Sequence, residues 1–306
     1  MRVRSCRQGW GPAGCPFAVL SPVSCPDFRN PGEENRQGKN GFRALFPPVV
    51  CCFADRAYIF AMAKGIVLSG TSGWSYKHWK GPFYPENIPD RNMLHYYFQS
   101  FQTVEINSSF YHLPLRKTFE KWRDSAPDGF VFAVKASRFI THVKKLADSA
   151  EAVGRFFERA SGLSQKIGPI LFQLPPRLRI NPKKLSSFLD QLPSGYRYAF
   201  EFRDASWFHP EIFSLLGDCG AAFCIYELNG RISPLKVTAD FVYVRLHGPS
   251  GPYQGCYTEQ ALAEWSARFA GWASGSRDIY CYFDNDEAGF AARNALQLRE
   301  LLKDVF

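Results

Sequence analysis

The chain has 306 residues, of which 46% are hydrophobic and 16% aromatic, and its formal net charge is +9. This composition argues against disorder over most of the chain and predicts a globular protein with one large domain or two ordinary ones. The positive charge favours an anionic partner, either a phosphorylated small molecule or a nucleic acid, but it carries no information about the fold.

Residues 1–61 differ from the rest of the chain. They contain five of the nine cysteines and show no sustained period of 2 or 3.6 residues. No continuous apolar core follows the N-terminal arginines, as a secretory signal would require. The apolar residues 44–63 are interrupted by prolines and charges, which makes them a poor membrane span. We therefore predict one domain over residues 62–306, preceded either by a mis-assigned extension with Met62 as the true start or by a disordered leader.

Four cysteines lie in the predicted domain, and no two of them form a CxxC pair: Cys219, Cys224, Cys256 and Cys281. Cys224 and Cys281 fall inside apolar strand segments, where a buried, reduced thiol is the usual state. Reduced thiols and the lack of a membrane span predict a cytoplasmic protein.

The first predicted strand, residues 65–71, runs into the loop sequence GTSGWSY. Gly70 and Gly73 allow a tight turn there, but two glycines at this spacing are too few to indicate a dinucleotide-binding loop. Trp74 and Tyr76 follow in the loop. These two rings either stack on a ligand or pack over neighbouring elements, and the sequence leaves both alternatives open.

The second predicted strand carries an acid inside an alternating pattern. Val104 and Ile106 make one of its faces apolar, whereas Glu105 and Asn107 make the other face polar. A strand at the surface would turn such a polar face to water. Because later strand segments also end in polar groups, we predict instead that Glu105 and Asn107 belong to a shared site.

Five later segments, FVFAVK, ILFQ, YAFEFR, FVYVRLH and IYCYFDN, end in charged or amide side chains: Lys135, Gln173, Glu201, Arg203, Arg245, His247, Asp284 and Asn285. A further apolar segment, residues 221–227, ends in Glu227, which is either a site residue or a loop acid. Helical patterns separate consecutive strands, so we predict that strand and helix alternate eight times.

This alternation predicts an α/β fold. Parallel strands that are buried on both faces read as near-continuous apolar runs, and polar residues at their C-terminal ends are typical of the active-site end of a (β/α)8 barrel. The predicted domain also has the usual barrel length of about 250 residues. We therefore predict a single-domain, TIM-like (β/α)8 barrel. An open doubly wound sheet is the alternative, because it also gathers functional residues at strand ends.

The polar strand ends predict an anion site at the barrel mouth. Lys135, Arg203 and Arg245 suit a phosphate or carboxylate, because arginine binds such groups through two parallel hydrogen bonds. The other predicted substrate contacts are Trp74, Tyr76, Asn107, His142, Gln173 and Asn285. The alternative is a salt-bridge network that only fills the barrel mouth, since buried charges persist when they are paired.

Three residues are predicted to be catalytic. Glu105 or Glu201 would serve as general base, and His247 as acid or base. This set suits hydrolysis of a phosphoester or proton abstraction from a substrate that resembles a sugar phosphate. A divalent ion held by the two glutamates and Asp284 is disfavoured, because three cations would lie nearby, and we predict no metal ligand.

The competing interpretation is a nucleic-acid-binding protein that turns over no small molecule. Its basic charge and the aromatic rings near the barrel mouth would hold a single strand by stacking. However, the sequence contains no compact basic run and no recognised nucleic-acid module. A small anionic ligand is therefore favoured over nucleic acid as the partner.

Seven ordered sequence blocks carry a resemblance to a known family: GTSGWSYKHWKGPFYP, FQTVEINSSFY, FVFAVKASRFITH, GPILFQLPP, FEFRDASW, FVYVRLHG and YFDND. Over about residues 67–302 the chain resembles the YecE-like family, the domain of unknown function 72. The resemblance implies a TIM-like barrel in a mostly bacterial, cytoplasmic family without a settled activity. A kinship with the endonuclease IV type of barrel would imply DNA chemistry, but the zinc ligands of that type are not matched here, since only His247 lies at a strand end.

Overall fold

Eight parallel β-strands form the centre of the computed structural model, which describes residues 64–303. They are β1 (Val67–Thr71), β2 (Thr103–Ile106), β3 (Val131–Lys135), β4 (Ile167–Gln173), β5 (Tyr198–Glu201), β6 (Ala222–Leu228), β8 (Phe241–Leu246) and β9 (Asp278–Phe283). A two-residue strand, β7 (Arg231–Ile232), pairs antiparallel with the end of β6. The predicted extension over residues 1–61 and the predicted start at Met62 lie outside the described residues.

The strands pair in the order β1, β9, β8, β6, β5, β4, β3, β2. At the remaining seam, between β1 and β2, Ser72 pairs with Glu105 as a single parallel bridge. The Gly73 amide also donates a 2.8 Å hydrogen bond to the Glu105 carbonyl across this seam. The sheet therefore closes almost completely, which confirms the predicted TIM-like barrel and excludes the open doubly wound sheet.

Helices surround the barrel: α1 (Met93–Tyr97), α2 (Ser108–Tyr111), α3 (Arg116–Ser125), α4 (Ala150–Ala160), α5 (Pro182–Leu189), α6 (Pro210–Asp218), α7 (Glu259–Ser274) and α8 (Phe290–Lys303). Shorter helical turns lie at Lys77–Trp79, Asp90–Asn92, Phe139–Val143, Ser161–Lys166, Ala205–Trp207 and Glu287–Gly289. Within residues 64–303, every helix is too short or too polar to span a membrane.

The predicted eightfold alternation of strand and helix is wrong at one connection. Between β6 and β8 the described chain forms β7 and then residues 233–240, which contain neither helix nor strand, in place of a helix. Asn229 and Gly230 have φ values of 53° and 68°. Two consecutive residues with positive φ form the tight turn that reverses a strand into a hairpin.

Side chains before the helices explain where several of them begin. The Asn181 side chain accepts a 2.9 Å hydrogen bond from the Lys184 amide at the start of α5. Thr258 accepts one from the Ala261 amide at the start of α7. Such caps satisfy backbone N–H groups that have no partner within the first turn. His209 caps α6 in the same way, so this histidine is a helix cap.

Side chains along each strand point alternately to the two faces of the sheet, and this produces two separate apolar cores. One lies between strands and helices and includes Val104, Ile106 and Phe200. The other fills the barrel interior and is lined by residues such as Leu171 and Tyr243. Since neighbouring residues of a strand point to opposite faces, the residue between Val104 and Ile106 points into the barrel. This places Glu105 in the interior, as its sequence pattern predicted.

Gly70 sets the close approach of β1 and β2. A Cβ atom at this position would lie 2.3 Å from the Thr103 carbonyl oxygen. We therefore expect Gly70→Ala to lower the free energy of unfolding by about 1 to 3 kcal/mol, as overpacked substitutions do, in a urea titration. Gly154→Ala in α4 is the control, because a Cβ there meets no atom within 4 Å and should stabilise by about 0.5 to 1 kcal/mol. Equal midpoints for the two variants would contradict the seam geometry.

Candidate functional site

Arg245, at the end of β8, is the centre of a charged cluster inside the barrel mouth. Its fully buried guanidinium donates from Nε and Nη2 to the two oxygens of Glu105, at 3.0 and 2.7 Å. It also donates from Nη1 to Glu201 and from Nη2 to Asp284, both at 2.9 Å. A further contact of 3.0 Å joins Nη2 to the Ser72 hydroxyl. Each guanidinium nitrogen of Arg245 is therefore already hydrogen-bonded within the protein.

The cluster keeps Glu201, Asp284 and Arg245 ionised. Burial alone would raise the pKa of Glu201, but Arg203 and Arg245 hold it well below its usual range. Burial would likewise raise the pKa of Asp284, and Arg245 is the main group that lowers it. In turn, burial would lower the pKa of Arg245, but Glu105 and the other two carboxylates hold it well above its usual range. The cluster is thus a paired ion network, as buried charges require.

His247 connects two parts of this network. Its Nδ1 lies 2.9 Å from an Asp284 oxygen, and its Nε2 lies 2.8 Å from Nη2 of Arg203 and 3.3 Å from Nη1 of Arg245. Arginine can only donate, so Nε2 accepts both contacts, and Nδ1 carries the proton that it donates to Asp284. Glu201 lies 3.3 Å from Nε2 and would form an ion pair with the ring once Nε2 is protonated.

Two network members were not predicted from the sequence. The Tyr243 hydroxyl donates a 2.7 Å hydrogen bond to Glu105, and the Ser72 hydroxyl donates to the other oxygen of the same carboxylate. Tyr243 stands two residues before Arg245 on β8, so the period of 2 already placed both on one face. Ser72 follows β1 inside the glycine loop, where no periodic pattern indicates its direction.

Lys135, at the end of β3, is the exception to this pairing. Only 6% of the residue is exposed, and its Nζ lies 4.3 Å from the centre of the Phe110 ring. Within residues 64–303 this ammonium makes neither a hydrogen bond nor an ion pair below 4 Å. Burial, followed by the repulsion of Arg245, lowers its pKa to about 8, although nearby carboxylates oppose the shift. Lys135 is therefore a buried cation at the barrel mouth without a close anionic partner in the described part of the chain.

Arg203 lies between the network and the solvent. Its Nε donates to Glu201 and its Nη2 to His247, whereas its Nη1 has no hydrogen-bond partner in residues 64–303. The guanidinium lies 5.0 Å from the centre of the Tyr226 ring, and 10% of the side chain is exposed. Arg203 can therefore offer the two N–H donors of Nη1 to a ligand at the mouth.

Two further predicted residues, His142 and Gln173, lie at the carboxyl-end rim of the barrel, His142 in the segment after β3 and Gln173 at the end of β4. The His142 ring packs edge-on against Phe110 at 5.0 Å, on the ring that Lys135 also contacts. Burial and the charge of Lys135 lower the pKa of His142 to about 4, so the imidazole is neutral at pH 7. Gln173 ends the next strand, β4, and pairs in register with Glu201. The structure thus brings both residues to the same rim.

Trp74, Tyr76 and Asn107 line a separate cavity of about 240 Å³ beside the network. The Tyr76 hydroxyl donates a 2.6 Å hydrogen bond to the Ser72 carbonyl, which links this cavity to the cluster. Trp74 packs edge-on against Trp122 at 5.2 Å. These rings therefore both pack on neighbouring elements and border an open space. The buried Oδ1 of Asn107 has no hydrogen-bond partner in the described part of the chain.

Asn285 is not brought to the other predicted site residues. It is fully buried, and its Nδ2 donates to the Gly255 carbonyl at 2.8 Å and to Asn294 of α8 at 3.0 Å. Asn285 therefore fixes the loop after β8 to α8. Glu227 is similarly engaged outside the barrel interior, where it accepts a 2.9 Å hydrogen bond from the Trp265 indole of α7.

No group of three or more His, Cys, Asp or Glu side chains within residues 64–303 is arranged to hold a metal ion. The carboxylates of Glu105, Glu201 and Asp284 do converge, but the guanidinium of Arg245 lies at the point where they meet. A larger cavity of about 840 Å³ lies at the opposite end of the barrel, near the start of β1 and β3. That end of a barrel usually serves stability.

Fold and site together define a TIM-barrel-type α/β protein with a charged cluster at the carboxyl ends of its strands, where barrels of this type carry their ligand sites. The family model described as protein of unknown function DUF72 matches residues 68–305. The chain therefore belongs to the DUF72 family, and the resemblance seen in its sequence blocks is confirmed.

Similar proteins agree with this assignment. The UPF0759 protein YunF of Bacillus subtilis is 26% identical over 270 residues, which cover 78% of this chain and 95% of YunF. The UPF0759 protein YecE of Escherichia coli K12 is 33% identical over 124 residues, which cover 40% of this chain and 43% of YecE. The crystal structure of a DUF72 family protein from Thermotoga maritima matches with a TM-score of 0.70 and 29% identity, over 78% of this chain and 99% of that protein.

Proposed function

We propose that the barrel mouth binds a small anionic substrate, phosphorylated or carboxylated, and carries out acid–base chemistry on it. The observation that carries this proposal is Lys135, a buried ammonium with no ion pair below 4 Å in residues 64–303. A buried charge without a partner is unfavourable. An anionic group on a ligand would supply that partner.

Arg203 supplies the second anion contact in this proposal. Its Nη1 is not engaged in residues 64–303, and 10% of its side chain is exposed, whereas Arg245 is fully buried. Arg245, which the sequence suggested as an anion ligand, instead holds Glu105, Glu201 and Asp284 in place. A small anion between Lys135 and Arg203 would lie over this network and close to His247.

The hydrogen bonds of His247 suggest how acid–base chemistry would begin. Arg203 engages Nε2 in the structure, so the lone pair is not available as a base. A ligand that draws Arg203 towards itself would leave Nε2 with only its longer, 3.3 Å contact to Nη1 of Arg245, while Asp284 keeps the ring oriented through Nδ1. Glu201 would then stabilise the protonated ring from 3.3 Å. Both phosphoester hydrolysis and abstraction of an acidic C–H proton use such a base.

Binding of phosphate and of small carboxylates tests the site directly. An anion present at 100 times its Kd should stabilise the protein by about 2.7 kcal/mol, because it binds only the native state. We expect a thermal shift in the native protein and none in Lys135→Met. Lys145→Met is the matched control, since it removes an exposed lysine from the segment that follows β3. Equal shifts in the two variants would show that the anion binds elsewhere.

A second candidate function, binding of single-stranded nucleic acid, is favoured by the distribution of exposed apolar side chains. Of the large exposed hydrophobic residues within 64–303, all but Ile66 follow the carboxyl end of a barrel strand: Tyr111, Leu115, Phe139, Val143, Ile232, Leu235 and Tyr253. Three of the seven are aromatic, Tyr111, Phe139 and Tyr253, and such rings can stack on bases. Phosphate contacts release counterions, so the affinity of an oligonucleotide would fall steeply with salt, whereas a small anion at Lys135 would depend on salt much less.

A further inference from the structure

Two lysines of this barrel are buried to a similar extent but differ in their hydrogen bonds. Lys166 is 8% exposed, and its Nζ donates to the carbonyls of Arg123 and Ala126 at 2.9 and 2.5 Å. Lys135 is 6% exposed and donates to no acceptor in residues 64–303. Its Nζ lies over the Phe110 ring at the barrel mouth. Only Lys135, of these two amines, can approach a bound molecule without losing a hydrogen bond.

The neutral form of the Lys135 amine is more strongly favoured in the barrel mouth than it would be in water. The charged and titratable groups that face it from the packed elements are Arg245, Glu105, Glu201, Asp284 and His142. Burial and Arg245 outweigh the three carboxylates and lower the pKa of Lys135 to about 8. A lysine that is desolvated next to another cation is activated as a nucleophile, because part of it is unprotonated near neutral pH.

We propose that Lys135 forms an imine with a small carbonyl compound that also carries an anionic group, such as a 2-oxo acid or a phosphorylated ketone. This inference rests on the proposed function, because Arg203 would hold the anionic group while the carbonyl carbon meets Nζ. It adds a covalent step and narrows the substrate to compounds with a carbonyl group.

The step is a condensation without oxidation or reduction. The ammonium first loses a proton to water, and the nitrogen lone pair then forms a C–N bond with the carbonyl carbon. The carbonyl oxygen takes up the two hydrogens of the amine nitrogen and leaves as water, which yields the imine. The imine nitrogen then takes a proton back from water. The resulting cation would carry its charge over the Phe110 ring, where the ammonium charge lies in the structure, and would draw electrons from an adjacent C–H bond.

Reductive trapping tests this step on the full chain. The protein is incubated with pyruvate and sodium cyanoborohydride, which reduces an imine to a stable amine, and the modified lysines are mapped by peptide mass spectrometry. At pH 8 about half of Lys135 is neutral, compared with less than about 1% of an ordinary exposed lysine. We therefore expect labelling of Lys135 at least about tenfold faster than that of Lys145, and no labelling of Lys166.

Two comparisons separate this inference from simple anion binding. Acetone has the same type of carbonyl group but no carboxylate. Because the carboxylate also makes pyruvate the more reactive ketone, each rate is divided by that of Lys145, and this ratio should be about tenfold or more smaller with acetone if the anion contact matters. A thermal shift with pyruvate but no adduct at Lys135 would overturn the imine and leave the proposed function standing. Neither shift nor adduct would overturn both. Equal labelling of Lys135 and Lys145 would also overturn the inference.

Discussion

Replacing Arg245 with methionine is expected to lower the free energy of unfolding by about 3 to 5 kcal/mol, as removal of one partner from a buried ion pair does. Methionine would fill much of the space but would leave Glu105, Glu201 and Asp284 without their shared cation. Three carboxylates would then face one another inside the barrel. A urea titration of the variant at pH 7 measures this loss.

The pH dependence of this loss identifies its cause. In the native protein the pKa values of Glu201 and Asp284 are lowered, so their contribution to stability is present above the unfolded pKa and is lost as pH falls through the folded pKa. In the variant, burial would raise both pKa values, and protonation would relieve the repulsion. We therefore expect the deficit to be largest at pH 7, to begin to narrow as pH falls through the raised pKa values of the variant, and to narrow further below about pH 4.

Arg197 provides the matched control for this substitution. It forms an ion pair with Asp278 at 2.7 Å, the distance that joins Arg245 to Glu105, but 36% of its side chain is exposed. Water screens such a pair, so Arg197→Met should lower the free energy of unfolding by about 1 kcal/mol or less. Similar losses in the two variants, or an Arg245→Met deficit that does not change with pH, would contradict a network maintained by buried charge.

The sequence was sufficient to predict the barrel and the direction in which several polar side chains point. Glu105 stands between two apolar residues of β2, and Tyr243 and Arg245 are two residues apart on β8, so a period of 2 places all three inside. The same period predicts that the adjacent residues Asp284 and Asn285 point to opposite faces of the strand. The structure shows Asp284 in the network and Asn285 against α8. The sequence analysis assigns both residues to the barrel mouth, because it does not apply to them the rule that adjacent strand residues point to opposite faces.

The pairing of the charges could not be read from the sequence. Arg245 reaches Glu105, which is 140 positions away in the chain, because the barrel brings strands β8 and β2 to the same mouth. Lys135 carries the same charge and also ends a strand, yet no carboxylate of residues 64–303 lies within ion-pair distance of it. This difference depends on the stagger of the strands and on the Phe110 ring beneath Nζ, and neither is encoded in a periodic pattern. The hairpin at β7 was missed because two residues in a left-handed conformation replaced a whole helix.

Lys135→Met is expected to stabilise the free protein although it abolishes anion binding. The folded protein lowers the pKa of Lys135 from 10.5 to about 8, and each pKa unit corresponds to about 1.36 kcal/mol. The charged form therefore destabilises the fold by up to about 3 kcal/mol at pH 7. Methionine would remove this penalty and would keep an apolar contact with the Phe110 ring.

The sign of the pH dependence follows from the lowered pKa. Below pH 8 the lysine is charged in both states and the whole penalty applies, whereas between pH 8 and 10.5 the unfolded chain binds more protons and the native protein gains stability. The advantage of Lys135→Met should therefore be largest at pH 7 and should disappear by about pH 10.5, with Lys145→Met showing no such change. If Lys135→Met is less stable than the native protein at pH 7, the carboxylates of the network already satisfy the ammonium. In that case the barrel mouth would be a structural plug. A more stable Lys135→Met variant would instead mean that the native protein gives up stability for a group without a partner, which is characteristic of a ligand-binding site.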